Sequence, residues 1–353
     1  MPGHDIMVIG ASAGGVEALS TLARGLPADL PAALFVVLHV PATGRSMMPE
    51  ILSRAGPLPA AHARDGEPIR PGRIYVAPPD HHLLVRADGI GLSRGPRENR
   101  HRPAVDPLFR SAALAHGPRV VGVVLSGSLD DGTAGLAAVK GRAGVTVAQD
   151  PAEALFDSMP RSAIEHGVVD HVLPVGELGP LLGRLATESP ARAPDGAPTP
   201  DMEQEVWMAE LDPNAINSDH QPGVLSGFSC PECGGTLWEL EERGLVRYRC
   251  RVGHAYSVDS LLADQDETLD DALWGALRAL EEQAALARRL AARAREHGHA
   301  ATIVRFARQE EEAARRADVV RRLLLGGHPS RTSVGSTPGA DREAAAPISA
   351  GGE

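Results

Sequence analysis

Three residues, Ser12, His39 and Asp131, stand where a hydrolytic site could be built. Ser12 lies in Gly10-Ala11-Ser12-Ala13-Gly14-Gly15, directly after the apolar run Ile6-Met7-Val8-Ile9. A strand that ends in a small-residue turn and re-enters as a helix lifts its central side chain at the edge of a sheet. His39 closes the strand-like run Ala33-Leu34-Phe35-Val36-Val37-Leu38, and Asp131 follows Val120-Val121-Gly122-Val123-Val124-Leu125. Serine is a weak nucleophile until a base takes its proton. Histidine supplies that base near neutral pH, and a carboxylate holds the imidazole in one tautomer and stabilises the imidazolium. A peptide N–H near the turn, close to a helix N-terminus, suits an oxyanion. The same strand–glycine turn–helix pattern also serves dinucleotide binding. That motif needs glycine where Ser12 stands and an acidic residue where His39 closes the next strand.

A second cluster gathers all three cysteines as Cys230-x2-Cys233-x16-Cys250-x3-His254. Two knuckle-like pairs separated by a hairpin-length insert suit a tetrahedral Cys3His structural zinc. An odd cysteine count in a reducing compartment argues against a disulfide. A four-ligand site has no open position, so no catalysis is assigned to it, and none of the expected hydrolytic chemistry needs a cofactor. Zinc ribbons often contact nucleic acid, but the acidic flanks (Glu239, Glu241, Glu242, Asp264, Asp266, Glu267) point instead to a protein contact or to a lid or dock for the hydrolytic domain.

The elements that must position these groups are legible as patterns. Strands are predicted at 5–10, 33–39, 73–77, 90–93, 119–125, 145–148 and 171–175. Helices are predicted at 14–25, 45–54, 106–116, 132–143, 160–166 and 177–187. Continuous Val/Ile/Leu runs alternating with helices indicate a doubly wound, mostly parallel α/β sheet, Rossmann-like and covered on both faces. In such sheets ligands bind beyond the carboxyl ends of the strands, where Ser12, His39 and Asp131 all fall. The expected organisation is a catalytic domain at 1–187, a linker at 188–224 and a zinc module at 225–258. A helical hairpin at 259–326 and a disordered tail at 327–353 complete it. The linker reading rests on the Pro/Ala/Gly-rich stretch after Glu188. The hairpin reading rests on apolar spacing such as Leu269, Leu273, Leu277 and Leu280, broken at His297-Gly298-His299.

The chain has 353 residues and a net charge of −11, with −2 in residues 1–190 and −9 in residues 191–353. An acidic C-terminal half and 3% aromatic residues argue against nucleic-acid binding. No run is long enough to span a membrane, and the first residues lack the basic and cleavage regions of a signal peptide, so a cytoplasmic protein without membrane insertion is expected.

Residues 5–185 resemble the catalytic domain of the chemotaxis protein-glutamate methylesterases, the CheB family. The resemblance rests on Ile9-Gly10-Ala11-Ser12-x-Gly14-Gly15, on His39 followed by Pro41, and on Tyr75-Val76-Ala77-Pro78. It extends through Asn99-Arg100-His101-Arg102-Pro103-x-Val105-Asp106, Leu125-x-Gly127-x-x-x-Asp131-Gly132-x-x-Gly135 and Met159-Pro160-Arg161. It implies Ser12 as nucleophile, His39 as base and Asp131, rather than the adjacent Asp130, as the orienting acid. It implies hydrolysis of glutamate γ-methyl esters on methyl-accepting chemotaxis receptors and permits deamidation of receptor glutamines. It points to the Ala13 and Ser128 amides as oxyanion donors and to Arg100 and Arg102 as substrate-binding residues. Position 13 is often Thr and position 128 often Met in the family. Activating members often carry an N-terminal receiver domain; here the sequence opens at the catalytic strand, so control by the C-terminal module or by a separate regulator is expected. The rival readings are a serine esterase acting on another ester and a non-catalytic signalling module.

Overall fold

The structure is a computed structural model that describes residues 3–192, 198–216, 223–242 and 244–326. The chain divides into two units, Met1–Gln265 and Asp266–Glu353.

In the first unit, seven parallel strands form one sheet: β1 (Ile6–Ala11), β2 (Ala33–Leu38), β3 (Ala60–His62), β4 (Arg73–Val76), β7 (Val120–Val124), β8 (Val145–Gln149) and β9 (His171–Leu173). Their order is β3-β4-β2-β1-β7-β8-β9. Every residue of β1, β2 and β7 is buried, which is why these strands read as unbroken apolar runs rather than alternations. Helices α1 (Gly15–Gly25), α2 (Met48–Ala55), α3 (Val105–His116), α4 (Thr133–Gly141), α5 (Ser158–Glu165) and α6 (Val175–Leu185) connect them. The order reverses between β1 and β7, so the crevice of this doubly wound sheet opens where β1, β2 and β7 end. The run at 90–93 is not part of this sheet. As β6 (Ile90–Ser93) it pairs antiparallel with β5 (His82–Val85) in a separate hairpin.

Within the stretch read as linker, residues 200–209 form α7 (Pro200–Ala209), followed by the short α8 (Pro213–Ile216). Pro200 occupies the first helical turn and the Thr199 hydroxyl accepts from the Met202 amide, an N-cap within a Pro-rich stretch. Residues 193–197 and 217–222 of that stretch lie outside the described residues, as does the predicted tail at 327–353.

The Cys/His segment is a four-stranded antiparallel sheet, β10 (Val224–Ser229), β11 (Thr236–Glu242), β12 (Leu245–Cys250) and β13 (Ala255–Ser257). A buried charge cluster ties it to α7 and α3. Glu98 accepts from Arg110 at 2.6 and 2.8 Å and from Arg249 at 3.1 Å. Glu205 of α7 pairs with Arg247 at 3.0 Å and with Arg110 at 3.2 Å. Burial would push both carboxyls up. For Glu98 the charges of Arg110 and Arg249 outweigh it, and for Glu205 those of Arg247, Arg110 and Arg249 do, so both sit below the usual carboxylate range.

In the second unit, α9 (Val258–Glu296), which begins in the first unit, and α10 (Ala300–Leu325) run antiparallel. The ion pairs Arg288–Glu310 and Arg321–Glu281, both 2.7 Å, join them, and a buried alanine seam includes Ala287, Ala291 and Ala317. Gly298, at φ +68, ends the first of these helices.

Removing one carboxylate from the charge cluster leaves guanidinium groups buried without counter-charge. Glu205→Gln is expected to cost about 3 kcal/mol, read from denaturant unfolding of the full chain. Because the folded carboxyls lie below their unfolded values of about 4.3, their contribution is complete above that pH and is lost as pH falls below it. Glu205→Gln should therefore shrink the loss of melting temperature between pH 6 and pH 3. A variant as stable as the parent at pH 7 would contradict this account.

Candidate active site

The β1–α1 turn holds Ser12 half-buried at the sheet edge because of what surrounds it. Gly14 has φ +71 as the N-cap of α1, a conformation that L side chains rarely adopt. The Ser12 amide donates to Ser126 O at 3.0 Å, and the Ser126 hydroxyl donates to Ala13 O at 2.8 Å, fixing the turn to the end of β7. A Cβ at Gly127 would lie 2.9 Å from Ser12 Cβ and 1.9 Å from Met159 Sδ, so only glycine admits both neighbours. Register places Ala11 opposite Leu38, and the His39 amide donates to Ala11 O at 3.1 Å. Ser12 and His39 thus leave adjacent strand ends.

His39 Nε2–H donates to Asp131 Oδ2 at 2.8 Å, with side-chain exposures of 5% and 2%. Among the described residues, His39 Nδ1 is buried without a hydrogen-bond partner. Ser12 and His39 line one cleft of about 420 Å³, together with His101, the Val40–Ala42 turn and Arg97, Arg100 and Arg102. No direct Ser12–His39 hydrogen bond is present among the described residues. Such contacts commonly tighten only when substrate is bound.

Asp131 accepts four hydrogen bonds. Oδ2 takes His39 Nε2 and the Val105 amide (2.7 Å); Oδ1 takes Asn99 Nδ2 (2.9 Å) and the Asp106 amide (3.2 Å). The two amides are the first of α3, so Asp131 caps that helix from another part of the chain. Burial alone would raise its carboxyl. His39, the Val105 amide and Asn99 outweigh burial and hold it well below the usual range, ionised at neutral pH. The exchange is reciprocal: Asp106 Oδ1, on α3, accepts from Gly132 N (3.0 Å) and Gly135 N (2.6 Å) at the start of α4. The neighbouring Asp130 faces elsewhere and accepts the Ser257 hydroxyl at 2.6 Å.

The remaining sequence-predicted residues divide. Arg102 is bound to Asp80 at 2.6 and 2.9 Å and to Gly95 O at 2.7 Å, which shapes the loop. Arg100 pairs with Asp264 at 3.1 Å. Neither Ala13 nor Ser128 lines the cleft, and Ser128 is exposed. Cys230, Cys233, Cys250 and His254 do converge, with ligand atoms all within 4.8 Å of one another. The Cys233–Cys250, Cys230–His254 and Cys250–His254 separations are 3.7, 3.7 and 3.6 Å. Metal–sulfur bonds of about 2.3 Å in a tetrahedron imply edges of about 3.7 Å. His254 Nδ1 faces the sulfurs while its Nε2 lies 3.1 Å from Glu232, the arrangement by which a carboxylate orients a ligating imidazole. The donor set fits a tetrahedral zinc.

Two residues noted in the sequence only as parts of a motif prove central. His101 stacks on His39 with ring centroids 3.6 Å apart and planes 14° apart. Asn99 bridges Asp131 and Asp106, donating to both at 2.9 Å. The Asn99-Arg100 dipeptide was the available signal. Both residues have positive φ (49° and 71°), and Glu98 and His101 exchange backbone hydrogen bonds, forming a two-residue hairpin turn of the primed type that favours asparagine.

The fold and this cleft define an α/β protein with a serine beside a histidine–carboxylate pair at the sheet's switch point. Residues 7–182 match the family described as CheB methylesterase. A Leptospira interrogans protein named a putative protein-glutamate methylesterase/protein-glutamine glutaminase is 37% identical over 183 residues, 52% of this chain and 95% of that one. A Nocardioides protein-glutamate methylesterase/protein-glutamine glutaminase is 42% identical over 200 residues, 55% of this chain and 54% of that one. The crystal structure of the Thermotoga maritima CheB methylesterase catalytic domain superposes with a TM-score of 0.50 at 34% identity, covering 51% of this chain and 98% of that one. The chain belongs to the CheB methylesterase family. It spans about half the length of most of the curated relatives it matches.

Burial first, then the neighbouring His39 and the cleft arginines, push the His101 imidazole down to about 3 against the pull of Asp131. Histidine-labelled NMR should therefore show no protonation step for His101 between pH 5 and 9. A step near 6.5, the ordinary value, would show that the ring is not enclosed as described.

Proposed function

We propose that this chain hydrolyses glutamate γ-methyl esters on methyl-accepting chemotaxis receptors and releases methanol, with Ser12, His39 and Asp131 as its triad. The observation that carries the reading is the His39–Asp131 hydrogen bond of 2.8 Å, in a pair whose histidine lines the same cleft as Ser12 and whose Nδ1 has no hydrogen-bond partner among the described residues. Nε2–H is committed to the carboxylate, so Nδ1 presents the lone pair that a base needs.

In this mechanism Nδ1 takes the Ser12 proton as Oγ attacks the ester carbonyl. The family resemblance offers the Ala13 amide, just before α1, and the Ser128 amide as donors to the tetrahedral oxyanion. Neither residue lines the cleft as it stands, so either amide would have to meet the oxyanion in the substrate-bound state. His39 then protonates the departing methoxide, which leaves as methanol. Water, deprotonated by the same ring, cleaves the acyl-enzyme to glutamate and free Ser12. Amide and ester pass through the same type of intermediate, so the site also suits deamidation of receptor glutamine. Protein-glutamine glutaminase appears in the names of several relatives. Arg100 and Arg102 at the cleft face an acidic receptor segment in this reading.

Cys230, Cys233, Cys250 and His254 would hold a structural zinc that takes no part in the chemistry. Among the described residues no helix is long and apolar enough to cross a membrane. The proposed setting is the cytoplasmic side of the receptor, with a separate protein as regulator and neither nucleic acid nor lipid as ligand. An esterase for a different ester would act on small esters but not on methylated receptor. A non-catalytic module would act on neither.

Methanol release from methylated receptor membranes tests the reading. Wild type should release it, Ser12→Ala should not, and Asp131→Asn should lower the rate on the order of 10³-fold or more. Release that survives Ser12→Ala would remove the serine mechanism. Metal analysis of protein purified without chelator should find about one zinc per chain, in the ratio the Cys3His set demands, and Cys233→Ser should lower it; less than half an equivalent in wild type would count against the zinc site.

A further inference from the structure

The hydrogen bonds that hold the His39–Asp131 pair do not end within the α/β sheet. Asn99 Nδ2 donates to Asp131 Oδ1, and its Oδ1 accepts from the Ser257 amide at 2.9 Å and from the Ser260 hydroxyl at 3.1 Å. The Asn99 amide donates to Ala255 O at 2.8 Å, and the Ala255 amide donates to Arg97 O at 3.2 Å. Ala255 follows His254 directly, and Ser257 ends β13. The hairpin turn that carries Asn99 is therefore bound along its backbone by the strand that leaves the Cys/His knuckle.

Asn99 is 5% exposed and Ser260 fully buried, so water is poorly placed to substitute for either partner. Asn99 also holds a positive φ, a conformation of higher energy for a side chain with a Cβ, which persists only where surrounding contacts over-determine it. Without the 255–260 segment, its side-chain oxygen would lose both partners and its backbone N–H its acceptor, so nothing would hold the side chain in this orientation. Asp131 would then lose the shorter of the two hydrogen bonds on Oδ1, leaving on that atom only the Asp106 amide at 3.2 Å to orient Oδ2 toward His39.

We propose that Asn99 is a positioning residue for the His39–Asp131 pair and that the Ala255–Ser260 segment, anchored by the Cys/His knuckle, holds it in place. The knuckle then governs the geometry of a hydrolytic centre whose atoms it never touches. This deepens the esterase reading and rests on it for its kinetic part.

The test uses the full chain with labelled histidine. It reads two quantities: steady-state methanol release, and the low-field resonance of the His39 Nε2 proton. Asn99→Ala is expected to lower kcat 10- to 100-fold, leave KM within two-fold and shift or broaden that resonance. Ser260→Ala, which keeps Asn99 but removes one of its holders, is expected to lower kcat three- to ten-fold with a smaller shift in the same direction. Zinc removal by EDTA should move the resonance as Asn99→Ala does. Where Asn99→Ala fails to fold, Ser260→Ala and the chelated protein decide. If wild type releases no methanol, the esterase reading has failed, and the resonance alone decides the positioning role. A resonance unmoved by Asn99→Ala, or by Ser260→Ala and EDTA where that variant does not fold, overturns the proposal. A resonance that moves with Asn99→Ala but not with Ser260→Ala and EDTA overturns the part assigned to the knuckle.

Discussion

A carboxylate buried at the start of a helix is the constraint on which the first unit is organised. Asp131 is 2% exposed, and an ionised group in that position survives only where donors surround it. The chain supplies four: two amides at the head of α3, the Asn99 side chain and the His39 ring. They come from three places, the end of β2, the 97–102 loop and the head of α3, so satisfying one charge after β7 fixes the relation of all four segments. The reciprocal contact from Asp106 to the head of α4 locks the two helix starts together. Helix ends carry unpaired amides in any case, and here those amides serve as the solvent that two buried carboxylates would otherwise lack.

The same logic operates on a larger scale in the cluster of Glu98, Glu205, Arg110, Arg247 and Arg249. It lies next to the hairpin turn that carries Asn99 and His101. Glu98 is the residue before Asn99, and it is gripped by Arg110 of α3 and Arg249 of β12. A buried ion pair of this kind contributes modest net stability against an apolar alternative, but it is demanding about geometry because every charge must find its partner. The loop beside Ser12 is thus shaped jointly by the α/β sheet, by α7 and by the Cys/His sheet. The Cys/His segment is structurally part of the site's surroundings rather than a separate bead on a linker.

Much of this molecule is visible in residue types alone, and the reasons are local. Strands buried on both faces must be apolar at every position, so β1, β2 and β7 stand out as Val/Ile/Leu runs. The strand-turn-helix at Ser12 is marked by glycines, and Cys-x2-Cys with Cys-x3-His marks the knuckles by spacing. Elements without such local pressure were not legible. β3 is only Ala60-Ala61-His62. The short β5 begins with histidine, and its pairing is with β6 rather than the main sheet. α7 sits in Pro-rich surroundings, and its buried Glu205 reads as a surface residue until Arg110 and Arg247 are brought to it.

Periodicity and neighbours within a few residues mark the class of sheet, the strand ends that carry Ser12, His39 and Asp131, and the four metal-type ligands. The resemblance points to Asp131 over Asp130, and the folded chain shows the contact with His39 that distinguishes them; that His101 stacks on the His39 ring and that Asn99 joins Asp131 to Ser257 and Ser260 come from the fold alone. Those contacts close loops of 92 residues between His39 and Asp131 and of 158 between Asn99 and Ser257. No local pattern encodes them: they follow from burying charges and amides whose partners arrive only when the chain has folded.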